Sequence, residues 1–413
     1  MAANKLCTRL PAGWRVTIVD ESPTHYYQPG FLFVPFGTYR PEQVHRPRAG
    51  TIDARVRQVR ASIERVDTDA RTVHLDQDRE LAYDYLVIAT GTTPRPDETP
   101  GLADDLGGSI HEFYTYTGSV ALAAALEQFQ GGRLVVHVAE MPIKCPVAPL
   151  EFAFLAEDHF ASRGMRDAVQ ITYVTPLPGA FTKPVASAQL GTMLDERSIA
   201  VEPDFVVESI DPEAKTLVSY DEREVPYDLL VTVPVNMGAD YVARSGLGDE
   251  LNHVPTDKHT LLAKGHDDIF VLGDASDIPT SKAGSVAHFA ADVLLENLMA
   301  SIEGRDSLPA SFDGHANCFV ESGHGKGLLI DFNYDVEPLP GTYPLPVAGP
   351  LQLLKETRAN HAGKLAFRWI YWHLLLPGRP IPVPHRMSMA GKHVPTDPTD
   401  TETDLPTTTT ERV

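Results

Sequence analysis

The sequence has few cysteines and few basic residues for its length. Its 413 residues include three cysteines, Cys7, Cys145 and Cys318, with no Cys-x-x-Cys pair and no Cys/His cluster at zinc spacing. This argues against a secreted disulfide-stabilised fold and against a structural zinc site. Lys and Arg number 35 against 56 Asp and Glu, a net charge of −21. Because no basic tract offsets this excess, we expect no nucleic-acid partner.

Long apolar runs are also absent. No stretch reaches the roughly 20 apolar residues that a membrane-spanning helix needs. Met1–Leu10 lacks the apolar centre of a secretory signal peptide. The sequence therefore predicts a cytoplasmic protein that can meet a membrane only from its surface.

Short apolar runs alternate instead with helical patterns. The runs that suit strands buried on both faces of a parallel sheet are Val16–Asp20, Tyr85–Gly91, Arg133–Val138, Val169–Thr175, Leu229–Val233 and Ile269–Ala275. Helical patterns occupy Met1–Leu10, Leu150–Arg163, Ala186–Arg197, Ala283–Ile302 and Gly349–Leu376, the last interrupted near Gly363. This alternation predicts an α/β fold with mainly parallel sheets.

The order of these elements predicts two Rossmann-like dinucleotide-binding domains. The similar strand-to-turn motifs at 85–91 and 269–275 lie far apart, which is explained if one domain is split around an inserted second one. The predicted parts are the first domain at 1–115 and 236–311, the inserted domain at 116–235, a C-terminal region at 312–394 and a disordered tail at 395–413.

Small and acidic residues at strand ends indicate a flavin site. Asp20 closes the first strand, where an acid accepts from a ribose hydroxyl in dinucleotide folds, although a solvated strand end is the alternative. Ala89-Thr90-Gly91 forms a small-residue turn that lets the backbone approach a cofactor closely. Gly273-Asp274 ends another strand and precedes a helix, so that its acid is placed to accept from a ribityl hydroxyl.

Pro142–Pro149 carries a cysteine between prolines directly after a strand. A nicotinamide-binding domain has a Gly-rich phosphate loop at this place. Cys145 in its stead argues against NAD(P)H as the electron donor and for a thiol at the site.

These motifs and the segment His25–Phe33 resemble the pyridine nucleotide–disulfide oxidoreductase superfamily. More narrowly, the chain from Val16 to about Pro384 resembles the sulfide:quinone oxidoreductase family. The resemblance implies FAD as cofactor, held by Asp20, Thr90, Gly91, Gly273, Asp274, Lys282 and Lys364. The family's opening strand and Gly-rich pyrophosphate loop are missing here. We therefore expect a truncated or misassigned start, and weak FAD affinity if the protein does begin at Met1.

The resemblance also makes Cys145 and Cys318 a redox pair, with Cys318 facing the flavin. Sulfide, or another small thiol, attacks a bridge between the two cysteines, and two electrons then pass to FAD. Glu151, six residues after Cys145, is a candidate general base, with a helix cap as the alternative. Cys7 suits a buried, inert position on the first helix.

The aromatic segment Lys364–Leu376 is too short to span a bilayer and suits either an interfacial helix or a core helix. The resemblance favours the first, because the family's C-terminal region associates with the membrane and admits quinone. It assigns a contact near the flavin to Lys364 and stacking on the quinone to Phe367. We thus predict a peripheral protein on the inner face of the cell membrane, with the oligomeric state, a homo-oligomer included, left open.

The predicted function is FAD-dependent oxidation of sulfide to polysulfide or zero-valent sulfur, with a membrane quinone as acceptor. One alternative is a type II NADH:quinone dehydrogenase, which needs a second Gly-rich loop near residue 140. Another is the flavin subunit of a flavocytochrome c sulfide dehydrogenase, which needs an export signal that a missing start would hide. A third, non-enzymatic alternative is an FAD-binding sulfur carrier or redox sensor.

Overall fold

A computed structural model describes residues 1–345, 349–381 and 383–394 of the chain. The predicted disordered tail at 395–413 lies outside the described residues. The α-helices within them are α1 (Ala2–Leu6), α2 (Tyr116–Gln128), α3 (Ala148–Ser162), α4 (Pro184–Glu196), α5 (Asp240–Arg244), α6 (Gly284–Ile302) and α7 (Arg358–Ile370). Within the same ranges, no helix is both long and apolar enough to cross a membrane.

The strands of the described residues are short and mostly apolar. In chain order they are β1 (Thr17–Val19), β2 (Thr24–Tyr26), β3 (His45–Pro47), β4 (Arg57–Val59), β5 (Ile63–Asp67), β6 (Thr72–Leu75), β7 (Arg79–Ala82), β8 (Leu86–Ile88), β9 (Thr92–Arg95), β10 (Ile110–His111), β11 (Gly132–Val138), β12 (Val169–Val174), β13 (Ile199–Glu202), β14 (Val207–Asp211), β15 (Thr216–Ser219), β16 (Glu224–Pro226), β17 (Leu229–Val233), β18 (Val235–Gly238), β19 (Ile269–Val271), β20 (Ala316–Gly323), β21 (Lys326–Phe332), β22 (Gly341–Tyr343) and β23 (Leu351–Leu353).

A five-stranded parallel sheet forms the middle of the chain, in the order β10-β17-β11-β12-β13. All five residues of β17 are buried, as expected for a parallel strand covered on both faces. Helix α3 connects β11 to β12, and α4 connects β12 to β13, because parallel neighbours need a crossover connection. The sequence prediction of α/β units is confirmed here.

Two parallel strand pairs, β1–β4 and β8–β19, lie outside this sheet. The strands of the second pair are far apart in sequence, because all five strands of the parallel sheet lie between β8 and β19 along the chain. The backbone N–H of Leu272 donates to the carbonyl of Ile88 at 2.9 Å, so that both strands of the second pair end at the same edge. The two predicted turn motifs are therefore neighbours, while the domain boundaries at 1–115, 116–235, 236–311 and 312–394 stay a prediction.

The C-terminal part is built on the antiparallel hairpin β20–β21, extended by β23 and β22. Helix α3 packs against β20, and α7 packs against both strands of the hairpin. The hairpin thus contacts both the helix that follows Cys145 and the helix that carries Lys364. This arrangement brings together residues that are more than 200 positions apart in sequence, such as Glu151 and Lys364.

The prediction of an interrupted helix over Gly349–Leu376 is wrong in its first part and in its interruption, while Arg358–Leu375 is helical as predicted. Leu351–Leu353 is a strand paired with β22 and β21, and the helix begins only after Thr357, whose hydroxyl caps it. Gly363 does not interrupt this helix. A Cβ at Gly363 would lie 2.8 Å from the ring of Phe319, so the glycine allows close packing of the helix on β20.

Candidate redox site

The turn between β11 and α3 holds Cys145 in an unusual backbone conformation. Its φ of 51° lies in the left-handed region, which is costly for a residue with a side chain. The Cys145 N–H donates to the carbonyl of Lys282 at 2.6 Å, and its carbonyl accepts from the Tyr114 hydroxyl at 3.1 Å. Two bonds from distant segments therefore fix this cysteine just before α3.

Cys318 lies in regular structure, opposite Ile330 in the hairpin, and is 8% exposed. Strand β20 packs against α3, the helix that follows Cys145. The two thiols are near enough that negative charge on Cys318 raises the pKa of Cys145. Both cysteines are free thiols and are close enough to interact electrostatically, and their role as a redox pair stays a prediction.

A buried ion pair lies beside both thiols. The Lys364 ammonium donates to Glu151 Oε1 at 2.6 Å and to the Phe319 carbonyl at 3.0 Å. The same Glu151 oxygen accepts from the Glu321 backbone N–H at 2.6 Å. Glu151 is 0% exposed, and its other oxygen has no partner within the described residues. Glu151 thus anchors α7 and β20 through one oxygen and leaves the second available.

This ion pair sets the charge that the thiols experience. Burial raises the pKa of Cys145 and of Cys318 to about 12, and the Glu151 carboxylate adds to the rise at both. The Lys364 ammonium opposes it by lowering both thiol pKa values. Although burial alone lowers the pKa of Lys364, Glu151 and Cys145 raise it above its ordinary value. Lys364 is therefore charged at neutral pH, and its charge keeps both thiol pKa values below what burial and Glu151 alone would produce.

The edge at which β8 and β19 end has the properties of a cofactor site. Thr90 is exposed although it follows a strand, and its hydroxyl lies 3.2 Å from that of Tyr241. Gly91 and Gly273 have φ values of 66° and 71°, which a side chain would strain. A Cβ added at Gly91 would meet no atom within 4 Å, so this turn faces open space.

Asp274 at this edge lies near two lysines, Lys282 and Lys144. Burial raises the pKa of Asp274, while Lys282 and Lys144 lower it. The Lys282 ammonium donates to the carbonyls of Asp274 at 2.9 Å and Ser276 at 2.7 Å. Because the Lys282 carbonyl also accepts from Cys145, this lysine joins the predicted flavin edge to the cysteine turn. Its cofactor-binding role stays a prediction beside this observed structural one.

Asp20 lies where predicted, directly after β1, and is partly exposed. One carboxylate oxygen forms a salt bridge with Arg48 at 2.7 Å, and the other accepts from the Ser22 backbone N–H at 2.8 Å. Sequence reasoning missed Arg48, which nothing in the local pattern marks. The ribose contact of Asp20 stays a prediction.

Phe367 lies in an aromatic cluster with Tyr27, which directly precedes the short 3₁₀ helix Gln28–Phe33. Its ring centroid is 6.5 Å from that of Tyr27, which is 5.0 Å from that of Tyr371. The Tyr371 hydroxyl is 2.6 Å from Nε2 of His25. Helix α7 therefore packs on the 25–27 segment, and the quinone contact of Phe367 stays a prediction.

Sequence reasoning also missed Glu321, His361 and Tyr114. Nδ1 of His361 lies 2.8 and 2.9 Å from the two carboxylate oxygens of Glu321. No spacing rule joins a strand residue to a helix residue that is 40 positions away. For Glu321, the available signal was an acid in a strand, three residues after Cys318.

Comparison with known proteins identifies the family of the chain. The family model described as pyridine nucleotide-disulphide oxidoreductase matches residues 1–291. The chain belongs to this family. It is an FAD-dependent oxidoreductase of α/β fold, and FAD is its cofactor. The sequence predictions of fold class, enzyme class and cofactor are confirmed.

Sulfide:quinone oxidoreductases are among the relatives of this family member. The mitochondrial enzyme of Mus musculus is 25% identical over 371 residues, covering 88% of this chain and 81% of that protein. The mitochondrial enzyme of Schizosaccharomyces pombe is 26% identical over 334 residues, covering 78% and 72%. The crystal structure of the sulfide:quinone oxidoreductase from Aquifex aeolicus superposes with a TM-score of 0.75 at 20% identity, covering 90% of this chain and 87% of that one. The resemblance to these enzymes that the motifs indicate is confirmed.

The residues at the β8–β19 edge fit a flavin. Asp274 is partly exposed, and within the described residues its carboxylate accepts no hydrogen bond, which leaves it free to accept from ligand hydroxyls. The open space at Gly91 and the exposed Thr90 allow a cofactor to approach the backbone. Thr90, Gly91, Gly273 and Asp274 are therefore the residues that would hold the flavin half of FAD.

Proposed function

We propose that the protein oxidises sulfide with Cys145 and Cys318 and passes the electrons through FAD to a membrane quinone. The observation that carries this proposal is the position of both thiols beside the buried Glu151–Lys364 pair. The Lys364 ammonium lowers the pKa of both cysteines. It can therefore stabilise whichever sulfur leaves as a thiolate when the disulfide is attacked. The names of the relatives support the same substrates.

The proposed chemistry begins on a Cys145–Cys318 disulfide. Hydrosulfide attacks one sulfur, the S–S bond breaks, and the products are a persulfide on one cysteine and a thiolate on the other. Closing these two into a bridge with one extra sulfur atom releases one proton and two electrons. FAD, when bound, accepts the two electrons and delivers them to quinone. In this proposal Lys364 stabilises the thiolate, and Glu151 takes the proton on the carboxylate oxygen that has no hydrogen-bond partner within the described residues.

The quinone and membrane parts of the proposal rest on α7. Phe367 lies in the aromatic cluster on one side of this helix, and Trp369 is 60% exposed. Exposed Trp beside Arg suits the interface between headgroups and acyl chains. We assign Phe367 to the quinone and α7 to the inner face of the cell membrane, with the protein bound peripherally.

The test is an anaerobic titration of the FAD-loaded protein, followed by flavin absorbance. Sulfide should bleach the flavin, and a soluble quinone should restore its colour. Cys145→Ser and Cys318→Ser should each lose sulfide bleaching by more than about 1,000-fold in rate, because each removes half of the bridge. Cys7→Ser is the matched control, since Cys7 directly follows α1, outside the Cys145 turn and the β20–β21 hairpin, and it should behave as the wild type.

Other outcomes would contradict the proposal and select a rival. Bleaching by NADH but not by sulfide would indicate an NADH:quinone dehydrogenase. Sulfide bleaching with electron delivery to a c-type cytochrome instead of quinone would indicate a flavocytochrome-type subunit. Bleaching without any turnover on an acceptor would indicate a sulfur carrier or sensor.

A further inference from the structure

A tyrosine–histidine hydrogen bond lies next to the side chain that we assign to the quinone. The Tyr371 hydroxyl is 2.6 Å from Nε2 of His25. Tyr371 follows Phe367 by four residues, so both side chains project from the same face of the helical segment. Both rings also pack on Tyr27, with centroid distances of 5.0 Å from Tyr371 and 6.5 Å from Phe367. A quinone ring stacked on Phe367 would therefore lie next to Tyr371.

The helical backbone changes at this tyrosine. Helix α7 ends at Ile370, and Tyr371–Leu375 forms one π-helical turn, in which the Leu376 N–H donates to the Tyr371 carbonyl at 2.9 Å. Such turns are rare and frequently occur at functional sites. The turn is thus a second sign, independent of the hydrogen bond, that Tyr371 serves the reaction.

The proposed reaction needs a proton at the quinone. Hydrosulfide that becomes a zero-valent sulfur atom releases one proton and two electrons, whereas quinone takes up two protons and two electrons to become quinol. Each turnover therefore takes one further proton from solvent. A group beside the quinone that donates a proton and is itself resupplied from water would meet this need.

Tyr371 and His25 have the chemistry of such a donor. A phenol hydroxyl donates one hydrogen bond while it accepts another, and an imidazole takes a proton on one nitrogen while it releases one from the other. Burial raises the pKa of Tyr371, whereas burial and then the charge of Arg48 lower the pKa of His25 to about 4. Both groups are therefore neutral at pH 7. Because His25 is partly exposed, the hydrogen-bonded pair leads from the quinone side toward solvent.

We propose that Tyr371 donates a proton to the quinone and that His25 resupplies Tyr371 from solvent. The Tyr371 O–H bond breaks as a quinone oxygen gains the proton, Nε2 of His25 returns a proton to the phenol oxygen, and Nδ1 takes one from water. Tyr371 would touch the substrate and is the catalytic residue, whereas His25 acts through it and is a positioning residue. This inference rests on the proposed reduction of quinone beside Phe367.

His45 provides a matched control on the neighbouring strand. It is partly exposed, like His25, and it pairs with Tyr26, the residue that follows His25. Its ring centroid lies 6.0 Å from that of Tyr26 and 5.3 Å from that of Tyr116. Within the part of the chain that the structure describes, its imidazole forms no hydrogen bond with a tyrosine hydroxyl. His45 therefore shares the aromatic surroundings of His25 without the bond on which the relay depends.

The first experiment starts from FAD-loaded protein that dithionite has reduced, so that it does not depend on the identity of the electron donor. Reoxidation by a soluble quinone at low buffer concentration is followed by stopped-flow absorbance. His25→Ala should be slower by about 100-fold, and added imidazole should restore much of the rate, because free imidazole replaces the missing proton carrier. Tyr371→Phe should lose a similar factor without recovery by imidazole. His45→Ala should match the wild type.

Ferricyanide separates proton supply from damage to the fold, because it takes up electrons without protons. Both His25→Ala and Tyr371→Phe should therefore be reoxidised by ferricyanide at the wild-type rate. Equal slowing with ferricyanide and with quinone would overturn the relay, since the defect then does not concern the proton. Quinone reoxidation of His25→Ala at the wild-type rate, or a loss that imidazole does not restore, would overturn it as well.

A different result refutes the proposed function itself. If ferricyanide reoxidises the reduced wild type and quinone does not, quinone is not the acceptor, and the relay falls with that assignment. If quinone reoxidises the wild type and His25→Ala equally fast, the acceptor stands and the relay alone is wrong.

Discussion

Two buried ionic clusters lie on the hairpin β20–β21, and they differ in access to solvent. The redox-side cluster comprises Glu151, Glu321, His361 and Lys364, and the far-side cluster comprises His315, Asp331 and Lys392. Both combine a carboxylate, a histidine and a lysine. In the far-side cluster all three side chains are at most 2% exposed, whereas the redox-side cluster reaches the surface through His361.

In the far-side cluster the Asp331 carboxylate has three hydrogen-bond donors. Asp331 accepts from His315 at 2.8 Å, from Lys392 at 2.5 Å and from Asn317 at 2.9 Å. Burial raises the pKa of Asp331, but His315 and Lys392 outweigh that effect and lower it overall. The pKa of Glu321, in contrast, lies near neutral. A carboxylate with several donors, such as Asp331, keeps a low pKa despite burial, whereas burial dominates the pKa of Glu321, which has one side-chain donor.

The largest expected effect is that of Lys392→Met. It leaves Asp331 buried without its cation, so we expect a loss of about 3–5 kcal/mol in the free energy of unfolding. The rate of flavin reduction by sulfide should stay within about twofold for the protein that remains folded. Chemical denaturation and stopped-flow absorbance on one preparation check both. A selective loss of sulfide reduction without loss of stability would remove the distinction between the clusters.

Lys364→Met is the counterpart in the redox-side cluster. It leaves Glu151 unpaired and removes the cation that lowers both thiol pKa values, so alkylation of Cys145 and Cys318 at pH 8 should slow by about tenfold. Cys7 supplies the internal control, because its alkylation should not change. Equal alkylation rates at all three cysteines in variant and wild type would show that Lys364 does not set the thiol charge.

Glu321→Gln should change how stability depends on pH. Burial raises the pKa of Glu321 from 4.5 to about 7, so the folded state binds the proton more tightly than the unfolded state. Wild type therefore loses up to about 3 kcal/mol relative to the variant as pH rises from about 4.5 to about 7, and no more above that. Parallel denaturation curves of both proteins across this range would disprove the raised pKa.

Tyr114→Phe should have the smallest effect, about 1 kcal/mol in stability, because one neutral hydrogen bond to the Cys145 carbonyl is lost. The left-handed turn at Cys145 should then relax, and sulfide reduction should slow more than stability falls. Tyr227→Phe removes a buried hydroxyl in a separate hydrophobic cluster and serves as control. Equal rates in both variants would mean that the turn holds Cys145 without Tyr114.

The sequence was sufficient for the elements whose pattern is local. Leu86–Ile88 and Ile269–Val271 are apolar runs followed by small residues, and they pair as predicted. Cys145 was identifiable because a cysteine between prolines replaces a glycine loop. The first part of Gly349–Leu376 was predicted wrongly, because tertiary pairing of Leu351–Leu353 overrides the local helical pattern.

The connections that build the site were not predictable from local pattern. The Glu321–His361 and Lys392–Asp331 pairs join residues from separate elements, and their protonation depends on burial that only the packed hairpin creates. Lys282 was predicted to bind the cofactor. The hydrogen bond from the Cys145 N–H to the Lys282 carbonyl joins two distant backbone segments, and only the folded structure shows it.

The most direct test of the central proposal is the mass of the cysteine peptides after one equivalent of sulfide is added anaerobically without quinone. We predict that the flavin bleaches and that one extra sulfur atom is found on, or bridging, Cys145 and Cys318, with Cys7 unmodified. Bleached flavin with no added sulfur at either residue would contradict the role of the cysteine pair and require electron transfer that bypasses it.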